Sequence, residues 1–143
     1  MRVMAKQPDE KFPIAKTNDE WRETLSQAQY HVLREHGTES AGASPLNGEK
    51  RPGIYRCAGC EAPLFDSQSK YDSGSGWPSF TEPRPNAVGT SVDKSHFMVR
   101  TEIHCLRCGG HLGHVFADGP QPHGLRFCTN GAALVFQAEG TKS

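Results

Sequence analysis

The chain has 143 residues, with 16 basic and 16 acidic side chains, a formal net charge of zero and a pI near 7.0. That length fits one domain with one core, and the even charge speaks against nucleic acid or an anionic membrane surface as partner. No run approaches the roughly 18 apolar residues of a membrane span, and the opening "MRVMAKQPDEKFP" lacks the apolar stretch of a secretory signal, so a cytoplasmic protein is expected.

Residues 1–16 read as a flexible tail and 17–143 as a single domain. Thr17 and Glu20 have the spacing of a capping box. Trp21, Leu25 and Ala28 fall at helical spacing, as do Tyr30, Leu33 and Arg34, and Gly37 supplies a stop. One or two short helices are expected within 17–37. "SAGASPLNGEKRPG" is a turn-rich linker. From Ile54 onward helical periodicity ends, and short apolar runs ("GIYRC", "SHFMVRTEIHC", "HLGHVF", "LRFCT", "AALVF") alternate with glycine and proline clusters. Over 54–136 that pattern predicts antiparallel strands joined by loops. With 35% hydrophobic residues, 15 glycines and 10 prolines the core is lean, and a metal cross-link would compensate for it.

Two CxxC pairs, Cys57 with Cys60 in "CAGC" and Cys105 with Cys108 in "CLRC", supply four thiolates. In a reducing compartment such pairs serve as metal ligands or redox groups more often than as structural disulfides. Four thiolates are the ligand set of a closed tetrahedral zinc, which leaves no position for water and would stabilise the fold without joining in chemistry. Gly59, and Gly109 with Gly110, would help each knuckle turn. The competing reading is four unrelated thiols, or a redox dithiol at one pair.

Cys128, in "GLRFCTN", stands alone. One reading is an inert buried thiol. The other is a nucleophile: on a strand, Arg126, Cys128 and Asn130 would share one face, where the guanidinium would favour the thiolate, while Phe127 and Thr129 would point the other way. Just upstream, "HLGHVFADGP" brings His111, His114 and Asp118 close together, groups able to move protons near neutral pH or to fix a tautomer. Trp77, in "YDSGSGWPSF", is either a core residue or, freed by its flanking glycines, a pocket wall.

Taken together, "KYDSGSGWPSF", "HLGHVFADGP", "GLRFCTNGAALVF" and the two CxxC pairs closely resemble the B-type methionine-R-sulfoxide reductase family, from about Asp19 to Phe136. The resemblance implies a mainly β fold of two antiparallel sheets with short N-terminal helices, and one structural zinc held by Cys57, Cys60, Cys105 and Cys108 on the side away from the active site. It implies attack by Cys128 on the sulfoxide sulfur to give a sulfenic acid, with His111 and His114 in acid–base and polar-network positions. Asp118 and Asn130 would hold that network and Arg126 would accompany the thiolate. Trp77 would receive the substrate methyl group, with Phe116 also on the substrate-binding side. The expected substrates are oxidised peptides and proteins carrying methionine-R-sulfoxide, and a monomer is the default.

One departure stands out. Many members carry a resolving cysteine where this chain has Ser75, and with four cysteines on metal no second thiol remains. The expected reductant is therefore external: thioredoxin, or glutathione with glutaredoxin. His123 and Phe97 also stand where the family has other residues. Two further classes compete with the enzyme: a zinc-stabilised binding or chaperone module, which would not need the face around Cys128, and a zinc-ribbon nucleic-acid binder, which zero net charge disfavours.

Overall fold

A computed structural model describes residues 12–94 and 97–140. Two helices come first, α1 at Asn18–Thr24 and α2 at Gln27–Glu35. Each opens with a reciprocal capping box, Thr17 with Glu20 and Ser26 with Gln29. The second box breaks the helical run at Leu25 and Ser26, which leaves Ala28 exposed rather than on the buried stripe. The stop is also one residue earlier than expected: His36, at φ 57, takes the left-handed cap position, and Gly37 N–H bonds the His31 carbonyl at 2.8 Å.

Nine strands follow among the described residues: β1 Gly53–Cys57, β2 Pro63–Asp66, β3 Lys70–Tyr71, β4 Ser79–Phe80, β5 Val88–Asp93, β6 Arg100–Cys105, β7 His111–Phe116, β8 Arg126–Thr129 and β9 Leu134–Ala138. They form two antiparallel sheets, one in the order β2-β1-β9 and one in the order β3-β4-β8-β7-β6-β5. The mainly β fold with short N-terminal helices is therefore as expected. β5, "VGTSVD", has too few apolar residues to stand out in the sequence and is held by its pairing with β6.

Pairing register decides which residues face the core. Phe80 lies opposite Phe127, and Phe127 opposite Val115. Phe80 stacks on Phe65 of the small sheet at 4.2 Å and meets Tyr55 edge-on at 5.1 Å, so aromatic rings fill the space between the sheets. Because side chains alternate along a strand, Ser79, Cys128 and His114 fall on the other face of the large sheet. Helix α2 covers one end of that face: Leu33 packs where Gly110 leaves room, and Arg34 donates to the Cys108 carbonyl at 3.0 Å.

Of the expected tail, residues 1–11 lie outside those described. Further along, Ile14 N–H bonds the Arg107 carbonyl at 2.8 Å and Phe12 meets the His104 ring edge-on at 5.8 Å, so 12–14 are docked on the sheet. No helix among the described residues is long and apolar enough to cross a membrane.

Candidate active site and metal centre

The two knuckles are built alike. In each, the N–H of the residue after the second cysteine closes back on the first: Glu61 N–H bonds the Cys57 carbonyl and Gly109 N–H the Cys105 carbonyl, both at 2.8 Å. Glu61 (φ 65) and Gly109 (φ 76) take the left-handed position after the second cysteine. The backbone freedom expected of Gly59 is thus needed at Glu61; Gly59 instead leaves room for the Trp21 ring and donates its N–H to Cys57 Sγ at 3.3 Å.

All four Sγ atoms lie within 4.8 Å of one another. Cys57 and Cys108 are 3.7 Å apart and Cys60 and Cys105 are 3.5 Å apart. Sulfurs about 2.3 Å from a shared tetrahedral ion would sit about 3.8 Å apart, whereas a disulfide needs about 2.05 Å. The closest approaches run between knuckles, as a shared ion demands. These four residues can hold one metal ion and fit the group well.

The second constellation is a pocket of about 200 Å³ lined by Cys128, Trp77, His114, Phe116, Arg126 and Asn130 among others. It opens at the start of β6 and the end of β7, while the metal knuckles lie at the opposite ends of those strands, roughly 17 Å away at 3.4 Å per residue. Ladder pairing assembles it. Cys128 faces His114 across β8 and β7, and His114 faces Glu102 across β7 and β6.

Each expected site residue has a distinct placement. Arg126 is held in a two-point contact by Asp118, Nε to Oδ1 at 2.9 Å and a terminal nitrogen to Oδ2 at 3.1 Å, and lies 4.5 Å over the Phe116 ring. Asp118 is exposed and does not line the pocket. Asn130 lies just beyond β8, its amide donating to the Leu112 carbonyl at 3.1 Å and accepting from Glu39 N–H at 2.9 Å. Trp77 is half-buried, and its indole N–H donates to the Glu39 carbonyl at 3.0 Å. Ser75 lines the pocket beside Cys128.

The histidines are not equivalent. His114 lines the pocket and its Nε2 meets Asp93 Oδ2 at 2.7 Å. Burial lowers its pKa from the ordinary 6.5, outweighing the hydrogen bond to Asp93 that raises it. The neutral ring then carries its proton on Nε2, since a carboxylate can only accept, and Nδ1 keeps the lone pair. His111 sits behind, 2% exposed, edge-on to His114 at 5.4 Å, with Nδ1 against Glu102 Oε2 at 2.8 Å. Glu102 is buried and also accepts from Ser91 at 2.6 Å and meets His104 Nδ1 at 2.9 Å. His36, Glu102 and His111 bring ligand atoms within 4.8 Å, but the two rings are stacked face to face. Lone pairs lie in the ring plane, so this is packing around a buried carboxylate.

Cys128 also differs from expectation. Burial pushes its thiol up; Arg126 and a hydrogen bond from Ser75 work the other way without prevailing, and Asp118 adds to the rise. The expected dominance of Arg126 fails because Asp118 neutralises it and the thiol is largely shielded from water. The resting pair is therefore a neutral thiol beside a neutral imidazole.

Sequence reasoning missed Glu39, Asp93, Arg100 and Glu102. Glu39 ties the segment after α2 to the site: its carboxylate accepts from Gly131 N–H and Ala132 N–H at 2.8 and 2.9 Å. None carries a clear local signal: the contacts of Glu39 with Gly131 and Ala132 and of Asp93 with His114 join distant stretches of chain, and the places of Arg100 and Glu102 depend on strand register.

Residues 25–138 match the family model described as "SelR domain". The chain is 54% identical over 125 residues to the "Peptide methionine sulfoxide reductase MsrB" of Agrobacterium fabrum, covering 87% of this chain and 93% of that protein. It is 50% identical over 129 residues to the protein of that name from Leptospira interrogans (90% and 98%), and 52% over 122 residues to that from Pseudomonas entomophila (85% and 93%).

Proposed function

The chain belongs to the SelR-domain family, and on that premise we propose that it reduces methionine-R-sulfoxide in peptides and proteins, with Cys128 as the nucleophile. The observation that carries this reading is the pairing of Cys128 with His114 in one pocket walled by Trp77 and Phe116.

The resting charges suggest the proton path. As the sulfoxide enters, His114 Nδ1 takes the Cys128 proton, and the thiolate attacks the sulfoxide sulfur. The imidazolium returns that proton to the sulfoxide oxygen, which makes the sulfur electrophilic. The adduct then collapses: the protonated oxygen passes from the substrate sulfur to the Cys128 sulfur as the S–O bond and the newly formed S–S bond break. Methionine leaves as the thioether, and Cys128 carries the oxygen as a sulfenic acid. Thiol plus sulfoxide gives sulfenic acid plus thioether, so atoms balance. Asp93 holds the imidazole from behind, as His111 and Glu102 buttress it, and Asp118 and Asn130 fix Arg126 and the strand end. The apolar wall of Trp77 suits a methyl group and favours one hand at sulfur.

Reduction then calls for two external thiols: the first displaces water to form a mixed disulfide, and the second releases Cys128. Ser75, at the position of the family's resolving cysteine, offers no thiol. Thioredoxin and glutathione with glutaredoxin are the reductants we propose. For the metal centre we propose zinc, held by Cys57, Cys60, Cys105 and Cys108; a closed tetrathiolate zinc supplies structural cross-linking alone.

The test is turnover of separated R and S epimers of a peptide methionine sulfoxide with dithiothreitol, followed by mass spectrometry of enzyme oxidised without reductant. Reduction of the R epimer alone, with one added oxygen on Cys128 and no internal disulfide, is expected. No turnover by folded, metal-loaded protein would favour a binding module instead. A disulfide between Cys128 and a knuckle cysteine would overturn the single-cysteine cycle.

A further inference from the structure

Two guanidinium groups line the pocket, and their surroundings differ. Arg126 is spoken for: Asp118 takes Nε and a terminal nitrogen, and Phe116 lies under its plane. Arg100 lines the same pocket with its side chain 23% exposed; its Nε is sealed from solvent and has no hydrogen-bond partner among the described residues, so what the pocket can reach is the outer edge of the guanidinium. It reaches Asp93 Oδ2 only at 3.5 Å, and His114 already holds that oxygen at 2.7 Å. Among the described residues that long, shared contact is the carboxylate pairing Arg100 has, which leaves a guanidinium in the pocket wall with donors still to place and points to a ligand oxygen that takes one.

Position narrows that oxygen. Arg100 precedes Thr101, which faces Val115, so it flanks Phe116 on β6, two strands from Cys128. At about 4.8 Å per strand the backbones are roughly 10 Å apart. A sulfoxide sulfur in contact with Cys128 leaves its oxygen beside His114, whereas the peptide main chain, several bonds further back, must lie over the next strands.

We propose that Arg100 is a substrate-recognition residue whose guanidinium donates from its outer edge to a main-chain carbonyl oxygen of the peptide carrying the sulfoxide; this rests on reading the pocket as a methionine-sulfoxide site. The role gives the enzyme preference for peptide-bound over truncated sulfoxides. Loss of a charged donor from such a contact costs about tenfold in affinity.

The experiment compares the R epimers of N-acetyl-methionine sulfoxide methylamide, methyl propyl sulfoxide and free methionine sulfoxide with wild type, Arg100→Lys and Arg100→Ala. The expected result is a fall of about tenfold in the amide-to-methyl-propyl ratio of kcat/KM for Arg100→Ala, carried by KM. Arg100→Lys keeps the charge and lacks the planar guanidinium fork, and its ratio falls as well; if Arg100→Ala does not fold, Arg100→Lys carries the test. An unchanged ratio in a variant that still reduces the amide overturns the proposal while the methionine-sulfoxide reading stands. A larger loss for free methionine sulfoxide than for the amide also overturns it, because the acceptor is then a carboxylate. Failure of wild type to reduce any of the three overturns the reading beneath it.

Discussion

At the scale of single residues, the pocket is governed by burial more than by charge. Cys128 is raised from the ordinary 9.0 and His114 lowered from 6.5, both with desolvation as the largest cause. A reaction that needs both groups neutral at rest should have a broad pH plateau. kcat/KM should fall on the acid side only below 6.5, as His114 gains a proton, and on the alkaline side only above 9.0, as the thiol is lost. Asp118 raises Cys128 and Arg126 lowers it, so two variants should move the alkaline limb in opposite directions. Asp118→Asn should bring it to lower pH and Arg126→Met to higher pH, read from kcat/KM profiles of the R epimer. Limbs that stay put in both variants would mean that the titrating group is not Cys128.

At the scale of elements, the site depends on strands approaching closely. Gly113 lies opposite Thr129, and a Cβ there would run into the carbonyl of Cys128. Gly113→Ala should therefore cost about 1–3 kcal/mol by overpacking, and lower turnover as β8 shifts with Cys128 on it. Gly48, with open space around its missing Cβ, provides the contrast: Gly48→Ala should stay within about 0.5 kcal/mol. Urea midpoints of the two variants decide the matter, and equal midpoints would remove the close-approach argument.

Elements also show which parts of the chain were legible. Capping chemistry is local, so Thr17 and Glu20 announced α1; the same signature at Ser26 and Gln29 was equally readable and divides what otherwise looks like one helical run. β7 and β8 were visible as apolar runs, and Cys128, His114 and Arg126 could be picked out because they stand in two short motifs, "HLGHVFADGP" and "GLRFCTN", dense in reactive side chains. Asp93, Arg100 and Glu102 could not. Their places in the site come from the β5–β6–β7 register, and nothing in "VGTSVD" or "RTEIHC" fixes that register locally. The rise of the Cys128 thiol was hidden for a related reason: sequence reveals the neighbouring arginine but not the walls that shut out water.

At the scale of the whole molecule, the knuckles do more than close two turns. Trp21 is 1% exposed, packs against Gly59 beside Cys57 and Cys60, and has Arg34 over its ring at 4.7 Å. Arg34 in turn bonds the Cys108 carbonyl, and Leu33 fills the space at Gly110. Helices, first knuckle and second knuckle thus meet around the four thiolates. The small sheet carries the first knuckle at the end of β1, and the large sheet carries the second after β6. An ion shared between them would fix one sheet to the other at the end away from Cys128. Removing it should let the sulfurs take up protons, leave four thiols with nothing to hold the knuckles together, and loosen the helix pair before the pocket. Metal binding to sites of this kind is worth several kcal/mol of folding free energy or more. For a domain of this size a loss of about 4 kcal/mol lowers the thermal midpoint by 10 °C or more. Cys60→Ser, or chelation of the wild type, should produce that drop, with a loss of the Trp21 near-UV signal in proportion to metal released. A stripped protein that melts at the same temperature with Trp21 unchanged would show that the knuckles hold without an ion, and that the sheets are joined by the aromatic core alone.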